Sequence, residues 1–111
     1  MAGLVAAAEA ASRGADVLLL EKGDSPGGNM ALSSGVAWRH NDFAAFRAEC
    51  PGGDPVLQRL VYERLDEDLA WLEGFGARVL ERSTGNPATV GVRLCTKSVT
   101  DALARRAGRI R

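Results

Sequence analysis

The hydrophobic residues of this chain follow two patterns, and each pattern predicts a different kind of element. The segment from Gly3 to Arg13 is rich in alanine and is followed by Gly14, which predicts a helix with a glycine stop. Ala15 to Leu20 then form a short apolar run without alternation. Such a run is typical of a strand buried on both faces of a parallel sheet, so we expect a β-strand here with the preceding helix as its crossover.

Two helices are predicted in the middle of the chain. A short one is expected to begin at Asn41 or Asp42 and to end at Cys50. A longer one begins at Asp54, an N-cap residue, with Pro55 at the first helical position. Its apolar side chains recur every three or four residues, so we expect all of them to face the core: Leu57, Leu60, Val61, Leu65, Leu69 and Leu72.

The last third of the chain predicts three further elements. Ala77 to Glu81 alternates well enough for a short edge strand. Ser98 and Asp101 fit a capping box, which predicts a helix from Val99 to Ala107. Arg109 to Arg111 is expected to begin another strand.

Composition and charge exclude several classes of partner. Of the 111 residues, 46% are hydrophobic, and 14 basic residues balance 14 acidic ones. This balance gives no electrostatic reason to expect nucleic acid or an anionic membrane as a partner. Cys50 and Cys95 form no metal-binding pattern with His40, and no apolar run is long enough for a membrane segment. We therefore expect a cytoplasmic protein with reduced cysteines and no metal.

The candidate chemistry lies around the first predicted helix and strand. A Rossmann-type dinucleotide site needs a strand, a G-x-G-x-x-G turn and a helix, because the glycines let the backbone approach a pyrophosphate. Gly3 occupies the position of the third glycine, with Met1 and Ala2 before it. Glu21 follows the strand, where an acid binds the ribose hydroxyls. The first strand and first two glycines are not present, so we expect that the chain begins inside the motif.

A loop rich in glycine and serine follows the acidic residue, from Lys22 to Gly35. The backbone amides of Gly27 and Gly28 are able to donate to an anion with no side chain in the way. These glycines also suit simple turns. Ser33 and Ser34 also have two interpretations, because each could contact the cofactor or cap the loop.

The run from Ala2 to Trp38 resembles the start of FAD-dependent oxidoreductases of the succinate dehydrogenase/fumarate reductase flavoprotein superfamily. In that family a glutamate ends the second strand and binds the adenosine ribose. A G-G-N-S/T loop then runs beneath the pyrophosphate towards the flavin, and a Ser/Ala-Gly-Gly stretch follows. The matching residues here are Glu21, then Gly27, Gly28 and Asn29, then Ser33, Ser34 and Gly35. Met30 departs from the family, which has Ser or Thr at this position.

This resemblance implies an α/β fold, namely an incomplete Rossmann-like FAD-binding domain of the glutathione-reductase type that lacks its first strand. Residues 1–40 would form the dinucleotide-binding core, and residues 41–111 a helical extension and the start of the return to the sheet. The catalytic residues of the family fall beyond residue 111, so none is predicted. The implied cofactor-binding residues are Ala2, Gly3, Glu21, Lys22, Gly27, Gly28, Asn29, Ser33, Ser34 and Gly35.

The function expected from the resemblance is FAD binding within an oxidoreductase that transfers hydride to or from a small organic substrate. The chain alone is expected to be inactive and to bind FAD weakly or not at all. Two alternatives remain open. One is an NAD(P)-binding Rossmann protein, which does not require the glycine loop after Glu21. The other is a small non-catalytic α/β module that truly starts at Met1.

Overall fold

The structure is a computed structural model that describes all 111 residues. Its elements are, in order, α1 (Ala2–Ser12), β1 (Leu18–Leu19), a 3-10 helix (Gly28–Leu32), β2 (Val36–His40), α2 (Phe43–Glu49), α3 (Pro55–Gly74), β3 (Val79–Glu81), β4 (Thr89–Leu94), α4 (Thr96–Arg106) and β5 (Arg109–Ile110). None of these helices combines the length and the apolar character needed to cross a bilayer.

The strands form two sheets. β1 and β5 pair in parallel, with Leu18 opposite Arg109 and Leu19 opposite Ile110. The other three strands form an antiparallel sheet in the order β2-β4-β3, so β3 is an edge strand as predicted. Mixed α and β elements with a parallel sheet confirm the predicted α/β fold class, an incomplete Rossmann-like domain whose parallel sheet has only two strands.

The core lies where α1 and α4 pack against each other and against the sheets. Val99 and Leu103 of α4 are fully buried, and Ala8 of α1 is fully buried as well. Small alanine side chains on α1 allow the two helices to approach closely. The other buried members of this core are Leu4, Ala7, Leu69, Ala77, Val92, Leu94 and Ala107.

Strand β1 is shorter and less buried than the sequence predicts. Only two residues of the run from Ala15 to Leu20 are in the strand. Val17 and Leu19 pack against the core, whereas Leu18 is 48% exposed and Leu20 is 74% exposed. The prediction of burial on both faces is wrong because β1 has one strand neighbour, β5, and only one covered face.

Two predicted helix starts are confirmed by their capping hydrogen bonds. The carboxylate of Asp42 accepts from the amide of Ala45 at 2.9 Å, at the start of α2. Asp54 accepts from the amides of Val56 and Leu57 at 2.8 and 3.0 Å, at the start of α3. In both helices the cap satisfies amides that have no partner within the helix.

The inward face predicted for α3 is wrong over the first half of the helix. Leu57, Leu60 and Val61 are each more than half exposed. The buried residue in this part of the helix is Gln58, whose side-chain amide donates to the carbonyl of Cys50 at 2.9 Å. The first half of α3 therefore packs on α2 and on the segment after it, through Gln58 and through Tyr62, whose ring centre lies 5.3 Å from that of Phe43. Only its second half reaches the core. A periodic apolar pattern does not reveal such a contact.

The capping box predicted for α4 is also wrong. The helix begins at Thr96, so Ser98 and Asp101 lie inside it. The hydroxyl of Ser98 donates to the carbonyl of Cys95 at 2.8 Å, and Asp101 pairs with Lys97 at 2.5 Å. Neither side chain reaches a free amide at the start of the helix.

Strands β2 and β4 were not predicted. In β4, a glycine interrupts the apolar pattern. Gly91 lies opposite Trp38 in the antiparallel ladder. A β-carbon on Gly91 would collide with the carbonyl oxygen of Ala37 and with Trp38. The glycine that weakens the strand pattern is thus required for the two strands to pair closely.

Candidate functional site

The amino end of α1 lies beside the carboxyl end of β1. A β-carbon on Gly3 would be 3.5 Å from Cδ1 of Leu19, which is ordinary van der Waals contact. Glu21 follows Leu19 by two residues, so Gly3 and Glu21 lie at the same edge of the parallel sheet. Ligands of open α/β sheets bind outside the carboxyl ends of the strands, which is this edge.

The amides at the start of α1 are free to bind a ligand. Met1 is the N-cap residue and makes no capping side-chain bond, and the first helical bond runs from the amide of Val5 to the carbonyl of Met1 at 3.1 Å. The amides of Ala2, Gly3 and Leu4 therefore have no partner within the helix. With the positive end of the helix dipole, they form a site that favours an anion.

Glu21 is held at the sheet edge by two hydrogen bonds. Its amide donates to the carbonyl of Arg111 at 2.6 Å, which continues the pairing of β1 with β5. Its Oε1 accepts from the amide of Gly23 at 2.9 Å. Oε2 makes no hydrogen bond within the chain, so half of this carboxylate is available as an acceptor. The neighbouring Lys22 is exposed.

The glycine loop packs against α4 and forms a cleft of about 420 Å³. Gly27 is buried at the base of this cleft with a φ of 112°, and a β-carbon there would lie 2.6 Å from Cγ2 of Thr100. Gly28 has a φ of 54° and no atom within 4 Å of its β-carbon position. Gly3 and Glu21 do not line the cleft. The predicted residues therefore form two groups: one at the sheet edge, with Gly3 and Glu21, and one in the glycine loop, with Gly27 and Gly28.

The remaining predicted residues follow the cleft. Asn29 is exposed in the 3-10 helix. The hydroxyl of Ser33 accepts from the amide of Gly35 at 3.0 Å, and Ser34 is exposed without a side-chain hydrogen bond. Gly35 is buried with a φ of 73°, and a β-carbon there would collide with the carbonyl oxygen of Leu94. Packing alone therefore requires glycine at this position.

Thr96, Lys97, Thr100 and Asp101 line the cleft opposite the glycine loop, and sequence reasoning did not identify them. No local signal marks them, because the contact joins residue 27 to residue 100. The helix pattern of α4 predicts a buried face but not which loop covers its amino end.

Sequence reasoning also missed the environment of Cys95. The backbone amide of Ser98 and the guanidinium of Arg78, whose nitrogen lies 3.6 Å from Sγ, lower the pKa of this thiol to about 7. Arg78 lies 17 residues from Cys95 in the sequence, so no local pattern predicts that it contacts the thiol. No group of three or more His, Cys, Asp and Glu side chains is arranged to hold a metal ion.

The single histidine lies away from these groups. His40 is buried, stacks on Phe46 with ring centres 5.4 Å apart, and has its Nε2 3.7 Å from the carboxylate of Glu49. It helps to fix α2 on β2.

Comparison with known families finds a match in the amino-terminal part of the chain. Residues 1–54 match a family model described as an NAD(P)-binding Rossmann-like domain. This range contains α1, β1, Glu21 and the whole glycine loop. No curated protein and no solved structure matches the chain. The match supports a dinucleotide cofactor and does not distinguish FAD from NAD(P). Residues 1–54 are therefore similar to the Rossmann-like dinucleotide-binding modules found in oxidoreductases.

Proposed function

We propose that the chain binds FAD and is the cofactor-binding part of a flavin-dependent oxidoreductase. The observation that carries the proposal is the position of Glu21 at the edge where α1 begins. Its free Oε2 accepts hydrogen bonds from the hydroxyls of the adenosine ribose. The amides of Ala2, Gly3 and Leu4 donate to the pyrophosphate, whose charge is favoured by the helix dipole.

The choice of FAD rests on the residues after Glu21. Gly27, Gly28 and Asn29 extend the binding surface beyond the adenosine half of the cofactor, which a nicotinamide site does not require. Lys22, Ser33 and Ser34 complete this surface, and Gly35 shapes it by packing on Leu94. The flavin supplies the hydride chemistry when bound, while this chain binds and orients it. The substrate is a small organic molecule that exchanges hydride with the flavin.

NAD(P) is the second candidate cofactor, because the family model that matches residues 1–54 is described for NAD(P). The same Glu21 and the same helix end suit its ribose and pyrophosphate. In this case the glycine loop is a structural turn that packs on Thr100.

Separate titrations of the purified chain with FAD and with NADH, followed by the fluorescence of each cofactor, test the proposal. We expect weak, saturable binding of FAD and no binding of NADH over the same concentrations. Glu21→Gln should weaken FAD binding by about tenfold, because it replaces a charged acceptor. Glu9→Gln, a matched change on the far part of α1, should leave it unchanged. Binding of NADH without FAD would support the second candidate, and FAD binding that Glu21→Gln leaves unchanged would overturn the proposed site.

A further inference from the structure

One face of α3, exposed over the first half of the helix, carries a regular pattern of side chains. Its residues are spaced alternately by three and four positions, as along the seam of a coiled coil. In order they are two leucines, a base, an acid and an aromatic residue: Leu57, Leu60, Arg64, Glu67 and Trp71. Leu57 and Leu60 are 61% and 52% exposed, and nothing in the chain covers them.

The second half of this face opens into a groove between α1 and α3. The groove has a volume of about 620 Å³. Three apolar residues line it, Val5, Trp71 and Leu72, together with five charged ones: Glu9, Arg13, Arg64, Glu67 and Asp68. The face thus has exposed leucines at one end, a groove of mixed apolar and charged lining at the other, and opposite charges between them.

The chain exposes more surface than a monomer of its size. Its accessible surface is 7133 Å² for a mass of 11.7 kDa. A typical folded monomer of this mass exposes roughly 5,900 Å². The excess is larger than the roughly 800 Å² that each partner buries in a standard interface. This excess is spread over the whole chain, and the exposed leucines of α3 contribute part of it.

We propose that this face of α3 pairs with the same face of a second copy, with the two helices antiparallel. The pattern of side chains matches the same pattern on a second helix that runs in the opposite direction. In the antiparallel register Leu60 packs on Trp71 of the second copy, and Arg64 meets Glu67 of the second copy. Two-fold symmetry forms each of these contacts twice.

Charge is compatible with a second copy as the partner. The chain has no net charge, so two copies do not repel each other at long range. Within one chain Arg64 already lies 3.2 Å from Glu67 and 3.1 Å from Asp68. Pairing two copies joins these charges into one network across the interface. The contact does not involve Glu21 or the glycine loop, so it is independent of cofactor binding.

Sedimentation equilibrium over a concentration series tests the proposal. We expect a reversible monomer–dimer equilibrium for the natural chain. Leu60→Glu should raise the dimer dissociation constant by about tenfold or more, because it places a charge against Trp71 of the second copy. Leu32→Glu, at a leucine that is 86% exposed elsewhere, is the matched control and should leave it unchanged. A natural chain that stays monomeric, or a dimer unaffected by Leu60→Glu, would overturn the proposal.

A charge exchange tests the antiparallel register. Arg64→Glu and Glu67→Arg should each give a monomer, since each places like charges opposite each other twice. An equimolar mixture of the two variants should form a heterodimer, because every facing pair is then of opposite charge. Circular dichroism of each variant confirms that it is folded. Folded variants that do not associate on mixing would contradict the register.

Discussion

A β-carbon on Gly27 would lie 2.6 Å from Cγ2 of Thr100, so the glycine loop packs on α4 more closely than any side chain at residue 27 allows. The φ of 112° at Gly27 adds a backbone cost for every other residue. We predict that Gly27→Ala lowers the free energy of unfolding by about 2 to 4 kcal/mol, from backbone strain and overpacking together. Urea denaturation measures this change.

Two other glycines serve as controls for this prediction. Gly28 has a positive φ and open space around its β-carbon position, so Gly28→Ala should cost only about 1 kcal/mol. Gly52 has neither a positive φ nor a close neighbour, and Gly52→Ala should change stability by less than about 0.5 kcal/mol. Equal losses for Gly27→Ala and Gly28→Ala would mean that the loop does not pack on Thr100.

The fully buried Leu103 should carry a large share of the stability of the domain. Leu103→Ala leaves a cavity between α1 and α4, and we predict a loss of about 2 to 5 kcal/mol in the free energy of unfolding. Leu32→Ala removes the same atoms at an exposed site and should cost less than about 0.5 kcal/mol. Similar losses for the two variants would contradict a core centred on Leu103.

Cys95 should react as a thiolate near neutral pH. Because its pKa is lowered to about 7, the rate of alkylation by iodoacetamide should rise with pH and reach half its maximum at about pH 7. The measurement uses the Cys50→Ser variant, so that only one thiol reacts. Arg78→Gln removes a guanidinium that stabilises the thiolate and should move the midpoint to higher pH. An unchanged midpoint in Arg78→Gln would show that this contact does not tune the thiol.

Local signals predicted the parts of the fold that depend on neighbouring residues. Asp54 and Pro55 mark the start of α3, and the order of helix, strand and acid places Glu21 at the sheet edge. These features are set by caps and periodicity within a few residues. They were therefore visible in the sequence.

Contacts between distant segments could not be predicted in the same way. The periodicity of Leu57 and Leu60 identifies an apolar face of α3, but not whether this chain covers it. Gly91 interrupts the apolar pattern of β4, so the sequence did not predict this strand. Residue 91 must be glycine because Trp38 of β2 approaches it closely, and this contact is not visible in the sequence. The contact of the glycine loop with α4 is of the same kind, which is why Thr100 was missed.

The position of the dinucleotide site is tested most directly by backbone amide chemical shifts, measured while FAD is added to the ¹⁵N-labelled chain. We predict that the shifts change at Ala2, Gly3 and Leu4, at Glu21, and at the loop glycines Gly27 and Gly28. The amides of β3 should stay unchanged. Shifts that change elsewhere in the chain, and not at α1 and Glu21, would contradict the claim that this sheet edge binds the dinucleotide.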